Sequence, residues 1–178
     1  ETASASELKG AKTLYLTTKT AESMPDEYKE FYNEATESGS GFKCVPIINH
    51  YDFKTPLNAV IADHENERRF VKELISTDNL PQIDAWIKST PMGFYEIDYF
   101  WKKGEHPKRG RFNPEFFIKT GKLILVVEIK DDEEINDPSP ENKKKYEYAV
   151  THFDRINDHL KKKRAGVSYK FNFLTPSD

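Results

Sequence analysis

The stretch Lys122–Lys130 constrains the fold more than any other. Leu123-Ile124-Leu125-Val126-Val127 is the longest apolar run in the chain, and Ile129 extends it past a single acid, Glu128. A run this short is far from spanning a bilayer, and its branched residues suit a strand covered on both faces. Thr120-Gly121, just before it, is a two-residue hairpin signal, so Phe112–Lys119 reads as its antiparallel neighbour. A doubly covered strand needs helices or sheet on both sides.

The chain supplies covers. Asp63 is a suitable N-cap for a helix over His64–Ser76, whose apolar residues are Phe70, Val71, Leu74 and Ile75. Pro81–Ser89 reads as a second short helix through Ile83, Trp86 and Ile87. Ser139-Pro140 opens a long helix with proline in its first position and the stripe Tyr146, Ala149, Val150, Phe153, Ile156, Leu160. Alternation predicts strands at Phe94–Trp101 and through Tyr169, Phe171 and Phe173. A polar, basic connection fills Lys102–Gly110 and a loop fills Asp131–Asp137. Earlier in the chain we expect a strand at Leu14–Leu16, a short helix at Glu27–Glu34, a flexible joint at Ser38–Gly41 and an edge strand within Phe42–Asn49, where Pro46 removes a ladder donor. The expected class is α/β or α+β, a mixed central sheet flanked by helices. Residues 1–57 form an N-terminal arm or remnant of an upstream region, and 58–178 the main domain. Because position 1 is Glu rather than Met, the chain is expected to be a piece of a longer one.

Composition sorts the possible functions. Twelve Phe, nine Tyr and two Trp argue against disorder, although 32% of residues are charged. One cysteine excludes a disulfide framework and a Cys-rich zinc site, and the expected compartment is the reducing cytoplasm. The five histidines show no metal-ligand spacing, and no phosphate-binding glycine loop is present. A net charge of -3, from 27 basic and 30 acidic residues, excludes a simple basic wrapper of nucleic acid. The charges are blocky, however: Lys102, Lys103, Lys108, Arg109 and Arg111 cluster in the basic connection, and Lys143 and Lys145 flank the stripe of the long helix. Each basic run could equally be a solubilising surface.

Three acids and a lysine can meet. At roughly 100° per residue, Glu67 falls almost on the centre of the apolar face of its helix, whereas Glu65 and Glu73 point well over 100° away. Residues two apart on a strand share a face, so Glu128 and Lys130 lie together. With Thr120-Gly121 as the loop, Lys119 faces Lys122 and Glu115 faces Val126, which makes Glu115 a diagonal neighbour of Glu128 on that face. A three-residue loop would reverse the parity. Two carboxylates held together repel, and a hard divalent cation relieves them. Lys130 could orient a water or stabilise phosphoryl charge. The ordinary alternatives are an exposed Glu/Lys pair and a Glu67 that snorkels or pairs with an arginine. Glu96 and Asp98 form a rival acidic pair that reads as a solvated outer face.

Pro114-Glu115, twelve intervening residues and Glu128-Ile129-Lys130, following a helix acid at Glu67, resemble the PD-(D/E)xK nuclease superfamily. The segments Glu67-Arg68-Arg69-Phe70, Trp86-Ile87-Lys88, Phe94–Tyr99 and Phe112-Asn113-Pro114-Glu115-Phe116 look like the C-terminal nuclease domain of type III restriction subunits and helicase-nuclease proteins, over about residues 58–175. The resemblance implies a restriction-endonuclease-like fold and a DNA endonuclease dependent on Mg²⁺ (or Mn²⁺). It implies Glu67, Glu115, Glu128 and Lys130 as catalytic residues, with metal held by Glu115, Glu128, Glu67 and the Ile129 carbonyl. The partners it implies are DNA, an upstream ATP-dependent helicase domain in the intact chain, and a modification subunit or a second copy; no membrane is involved. Glu115 stands where the family usually carries Asp, one methylene shorter. That departure motivates the alternative of a catalytically silent relative that binds DNA or docks onto a partner.

Overall fold

The computed structural model describes residues 13–15, 44–47, 54–62, 64–89 and 95–177. Three short strands, β1 (Thr13–Tyr15), β2 (Cys44–Pro46) and β3 (Leu57–Ile61), form an antiparallel sheet in the order β1-β3-β2. Pro46 lies on an edge strand, where its missing N–H costs no central hydrogen bond. Helix α1 spans Glu65–Leu74, and a 3-10 turn covers Leu80–Gln82. Strand β4 (Ala85–Lys88) is followed by the pair β5 (Ile97–Lys103) and β6 (His106–Phe112). Then come β7 (Phe116–Thr120), β8 (Leu123–Ile129), the short helix α2 (Asp132–Asn136), the long helix α3 (Pro140–Lys162) and β9 (Ser168–Leu174).

The architecture is mixed α/β. A four-stranded sheet runs β4-β7-β8-β9, antiparallel except for the parallel pair β8–β9, and β5–β6 is a separate two-stranded ribbon. β8 is central, and Val126–Ile129 are buried without a break. Phe116, Ile118, Val127 and Ile129 meet Phe70, Val71 and Leu74 of α1, together with Val45, Leu57 and Val60 of the small sheet. Val126 and Phe171 meet Ala149 and Phe153 of α3, with Ile97, Tyr99 and Phe112 of the ribbon. Residues from the 1–57 arm thus contribute two strands and core side chains. Tyr95, Phe153 and Tyr169 stack nearly parallel, with centroids 6.0 and 5.8 Å apart, and tie α3 to the sheet.

Four sequence expectations are corrected. Pro81–Ser89 is not a helix: proline starts a single 3-10 turn, and Trp86 and Lys88 then alternate inward along β4. Lys102–Gly110 is not a loose connection. It is the paired tip of the ribbon, turned by Gly104-Glu105, and its polarity reflects exposure of both strands. Asp131–Asp137 contains α2, because the Asp131 carboxylate accepts the Glu134 N–H at 2.8 Å and caps it. The β7–β8 loop is Gly121-Lys122, one residue later than expected, since Thr120 pairs with Leu123. Gly121 has φ 56°, a conformation that glycine adopts without strain. His64 is the N-cap of α1; the expected cap Asp63, Phe94, Leu16 and the segments Glu27–Glu34 and Ser38–Gly41 lie outside the described residues. The long helix begins as expected, with Ser139 Oγ accepting the Asn142 N–H and Pro140 in first place.

Candidate active site

The site forms where β7 begins. Pro114 has no N–H to give a ladder, and the chain rejoins the sheet only at Phe116. The Glu115 N–H donates to the Val127 carbonyl at 2.9 Å, while Phe116 is the ladder partner of Val127. Two residues therefore face one, a bulge that re-aims the Glu115 side chain. The Glu115 main chain is pinned as well: its carbonyl accepts the Ser89 N–H, and Ser89 Oγ donates to the Pro114 carbonyl. Glu115 Oε2 accepts the Ile129 N–H at 2.8 Å, so the carboxylate takes the place of the next main-chain acceptor along β8.

Glu128 and Lys130 follow on β8. Phe117, not Glu115, lies opposite Val126, a two-residue displacement that brings Glu115 to the Val127–Glu128 end of the strand. Glu128 is buried, and Lys130 Nζ donates to its Oε1 at 3.1 Å. Lys130 Nζ also lies 5.6 Å from the ring centroid of Phe173, the residue beside Glu128 in the parallel pair. Both side chains face the α3 side of the sheet, by alternation with Val127 and Ile129.

Glu67 is buried on α1, as the helical arithmetic required, but α1 packs on the opposite face of the sheet. Glu67 therefore does not share the face of Glu128, and it approaches Glu115 from the other side of the open end of β7. Its partner is Lys88, whose Nζ lies 3.0 Å from Glu67 Oε2 and 5.0 Å from the centroid of the Phe116 ring. Lys88 is the residue that reading the sequence missed. Its segment read as a short helix in which Lys88 had no role; on a strand, its alternation with buried Trp86 marks it as inward.

The electrostatics follow from this placement. Lys88 offsets Glu67 and Lys130 offsets Glu128. Among the described residues Glu115 forms no ion pair. Burial, and then the nearby Glu128 and Glu67 carboxylates, push its pKa up to about 8, against smaller help from Lys88 and the Ile129 N–H. Two compensated ion pairs thus flank a third acid whose charged form is disfavoured. On the α3 side, Tyr99 OH donates to Glu141, and burial followed by that bond raises the phenol well above its ordinary value.

The basic residues are distributed unevenly. Lys102, Lys103, Lys108, Arg109 and Arg111 are all exposed on the ribbon. Arg109 is paired with Asp98 and Arg111 with Glu96, each at 3.0 Å, so part of the positive field is neutralised across the strands. The same pairs confirm Glu96 and Asp98 as outer-face residues. Lys143 is exposed and 3.9 Å from Asp137. Lys145 is half-buried, its Nζ over the rings of Tyr99 and Phe112 at 5.7 and 5.9 Å.

Among the described residues, no group of three or more His, Cys, Asp or Glu side chains is arranged to hold a metal ion. The donor set at β7–β8 is nonetheless hard and anionic. Glu128 is buried, and Glu115 is half-buried beside it with its ionisation opposed by the Glu128 charge, an arrangement that suits a hard divalent cation better than a soft one. No helix among the described residues is long and apolar enough to cross a membrane. No protein-family model, curated protein or solved structure matches the chain.

Proposed function

We propose that this chain is a metal-dependent DNA endonuclease domain, the C-terminal part of a cytoplasmic restriction or helicase-nuclease protein with an ATP-driven motor upstream. The observation that carries the reading is the half-buried acid Glu115, held on the Ile129 amide beside Glu128 and, among the described residues, without an ion-pair partner. Mg²⁺ or Mn²⁺ would supply Lewis-acid activation of the phosphodiester and a more acidic water. Glu115, in its deprotonated form, and Glu128 would hold the ion together with the Ile129 carbonyl. Glu67 adds negative charge from the far side, held in place by Lys88. Lys130 leaves Glu128 and turns its ammonium toward the attacking water or the developing phosphoryl charge. The exposed cations Lys102, Lys103 and Lys108 of the ribbon, with Lys143, would hold backbone phosphates, while Arg109, Arg111 and Lys145 would contribute after releasing intramolecular partners. A second copy or a modification subunit completes the assembly.

The test is cleavage of duplex DNA with and without Mg²⁺ by wild type, Lys130→Ala and Glu128→Ala. Metal-dependent cutting by wild type alone supports the reading; equal activity in all three proteins overturns it. A second reading, a catalytically silent module that binds DNA or docks onto a partner, draws on Glu115, whose side chain is one methylene longer than the Asp of the resembled family. Calorimetry separates the two, since a silent module shows no Mg²⁺ or Mn²⁺ binding that depends on Glu128.

A further inference from the structure

We propose that the cavity between α3 and β9 receives the base of an unpaired DNA nucleotide next to the scissile position, an inference that rests on the nuclease reading and names its substrate class. The cavity has a volume of about 590 Å³ and is lined by apolar Tyr146, Phe173 and Leu174, among others, with Asn142, Lys143, Asn172 and the carboxylate Glu147 at its polar side. Tyr146 is one of three large hydrophobic residues exposed among the described residues, at 38%. Its ring is already seated against Phe171 and Phe173, with centroids 5.8 and 5.5 Å away, so little side-chain freedom remains to be lost on stacking.

Continuity with the site identifies the occupant. Phe173 lies beside Glu128 in the β8–β9 register and under Lys130, so the cavity begins where the acidic cluster ends. Lys143 stands at the rim, only loosely paired with exposed Asp137. Asn142 donates its amide N–H to Glu134 at 2.6 Å, which leaves its carbonyl oxygen as an acceptor. Aromatic walls, side-chain amides and flanking ammonium groups match a π-face, a base edge and a backbone phosphate. A base within an intact duplex has both faces stacked and cannot enter a lateral cavity; one from a single strand or one rotated out of the helix can.

The test needs no cleavage. Fluorescence anisotropy of a short labelled single-stranded DNA is measured in EDTA with wild type, Tyr146→Ala and Tyr146→Phe, beside a blunt duplex of the same sequence. Loss of one stacked base predicts about tenfold weaker binding for Tyr146→Ala and near-wild-type binding for Tyr146→Phe, with no Tyr146 dependence for the duplex. In parallel, wild type is given an oligonucleotide whose bases are replaced by abasic sites, which keeps the result decisive if Tyr146→Ala fails to fold. A matching loss of affinity supports the inference. Equal binding of abasic and normal strands, equal binding by folded Tyr146→Ala, or no salt-sensitive binding of the strand overturns it. Metal-dependent cutting without base-dependent binding refutes this subsite alone, whereas base-dependent binding without cutting refutes the nuclease reading and, with it, the place of the base beside a scissile bond.

Discussion

Glu115→Gln isolates the charge problem at the heart of the site. The wild-type carboxyl has a pKa near 8 in the folded protein, against an ordinary 4.5. Below about pH 4.5 the group is neutral in both states and contributes no pH dependence. Between the two values the folded chain keeps a proton that the unfolded chain has lost, so stability falls as pH rises. The slope approaches about 1.4 kcal/mol per pH unit in mid-window and disappears above the folded pKa. Across the window the loss is on the order of a few kcal/mol, a large part of the roughly 5–15 kcal/mol that holds a domain together. Glutamine keeps an oxygen for the Ile129 N–H and removes the ionisation. Urea unfolding of wild type and Glu115→Gln at several points from about pH 5.5 to about pH 8.5 reads the effect directly. The midpoint for wild type should decline relative to the variant, and the variant should be the more stable protein at the alkaline end. Saturating Mg²⁺ should flatten the wild-type decline, because bound metal replaces the proton as the counter-charge. Parallel midpoint-versus-pH curves for the two proteins would refute the burial argument.

Other perturbations probe the surrounding supports. Lys88→Met leaves Glu67 buried without its cation and should cost about 3–5 kcal/mol, most of it recovered in Lys88→Met/Glu67→Gln; a double-mutant cycle in urea measures the coupling. Gly110→Ala should lower stability by about 1–3 kcal/mol, because a Cβ there collides with the ring of the cross-strand Tyr99, and thermal unfolding checks it. Lys130→Ala should reduce metal-dependent DNA cleavage by about 10²-fold or more while Mn²⁺ still binds, as read by single-turnover kinetics beside calorimetry.

Much of the sheet was legible because burial on two faces leaves a continuous apolar run, and Leu123–Val127 has few other interpretations. Helix α3 was legible for a similar reason, its Ser-Pro start and its stripe agreeing over 23 residues. Glu67 was found by angle alone. The misreadings have definite causes. Ile83, Trp86 and Ile87 are spaced like a helical stripe, and only tertiary pairing with β7 turns the segment into a strand. The ribbon is exposed on both strands, so polarity concealed its alternation. Thr120-Gly121 and Gly121-Lys122 both place glycine in a two-residue loop, and parity survived the difference. Which face of the sheet α1 covers cannot be read from its own periodicity, which specifies a buried stripe but not its partner. The bulge at Glu115 left no local mark beyond Pro114.

A crystal soaked in Mn²⁺ tests the central claim most directly. The account predicts an anomalous peak within about 2–2.3 Å of a carboxylate oxygen from both Glu115 and Glu128, on the Ile129 side of β7, with the peak lost in Glu128→Ala. A peak bound elsewhere, or unchanged Glu115 and Glu128 side chains with no peak between them at saturating Mn²⁺, would contradict it.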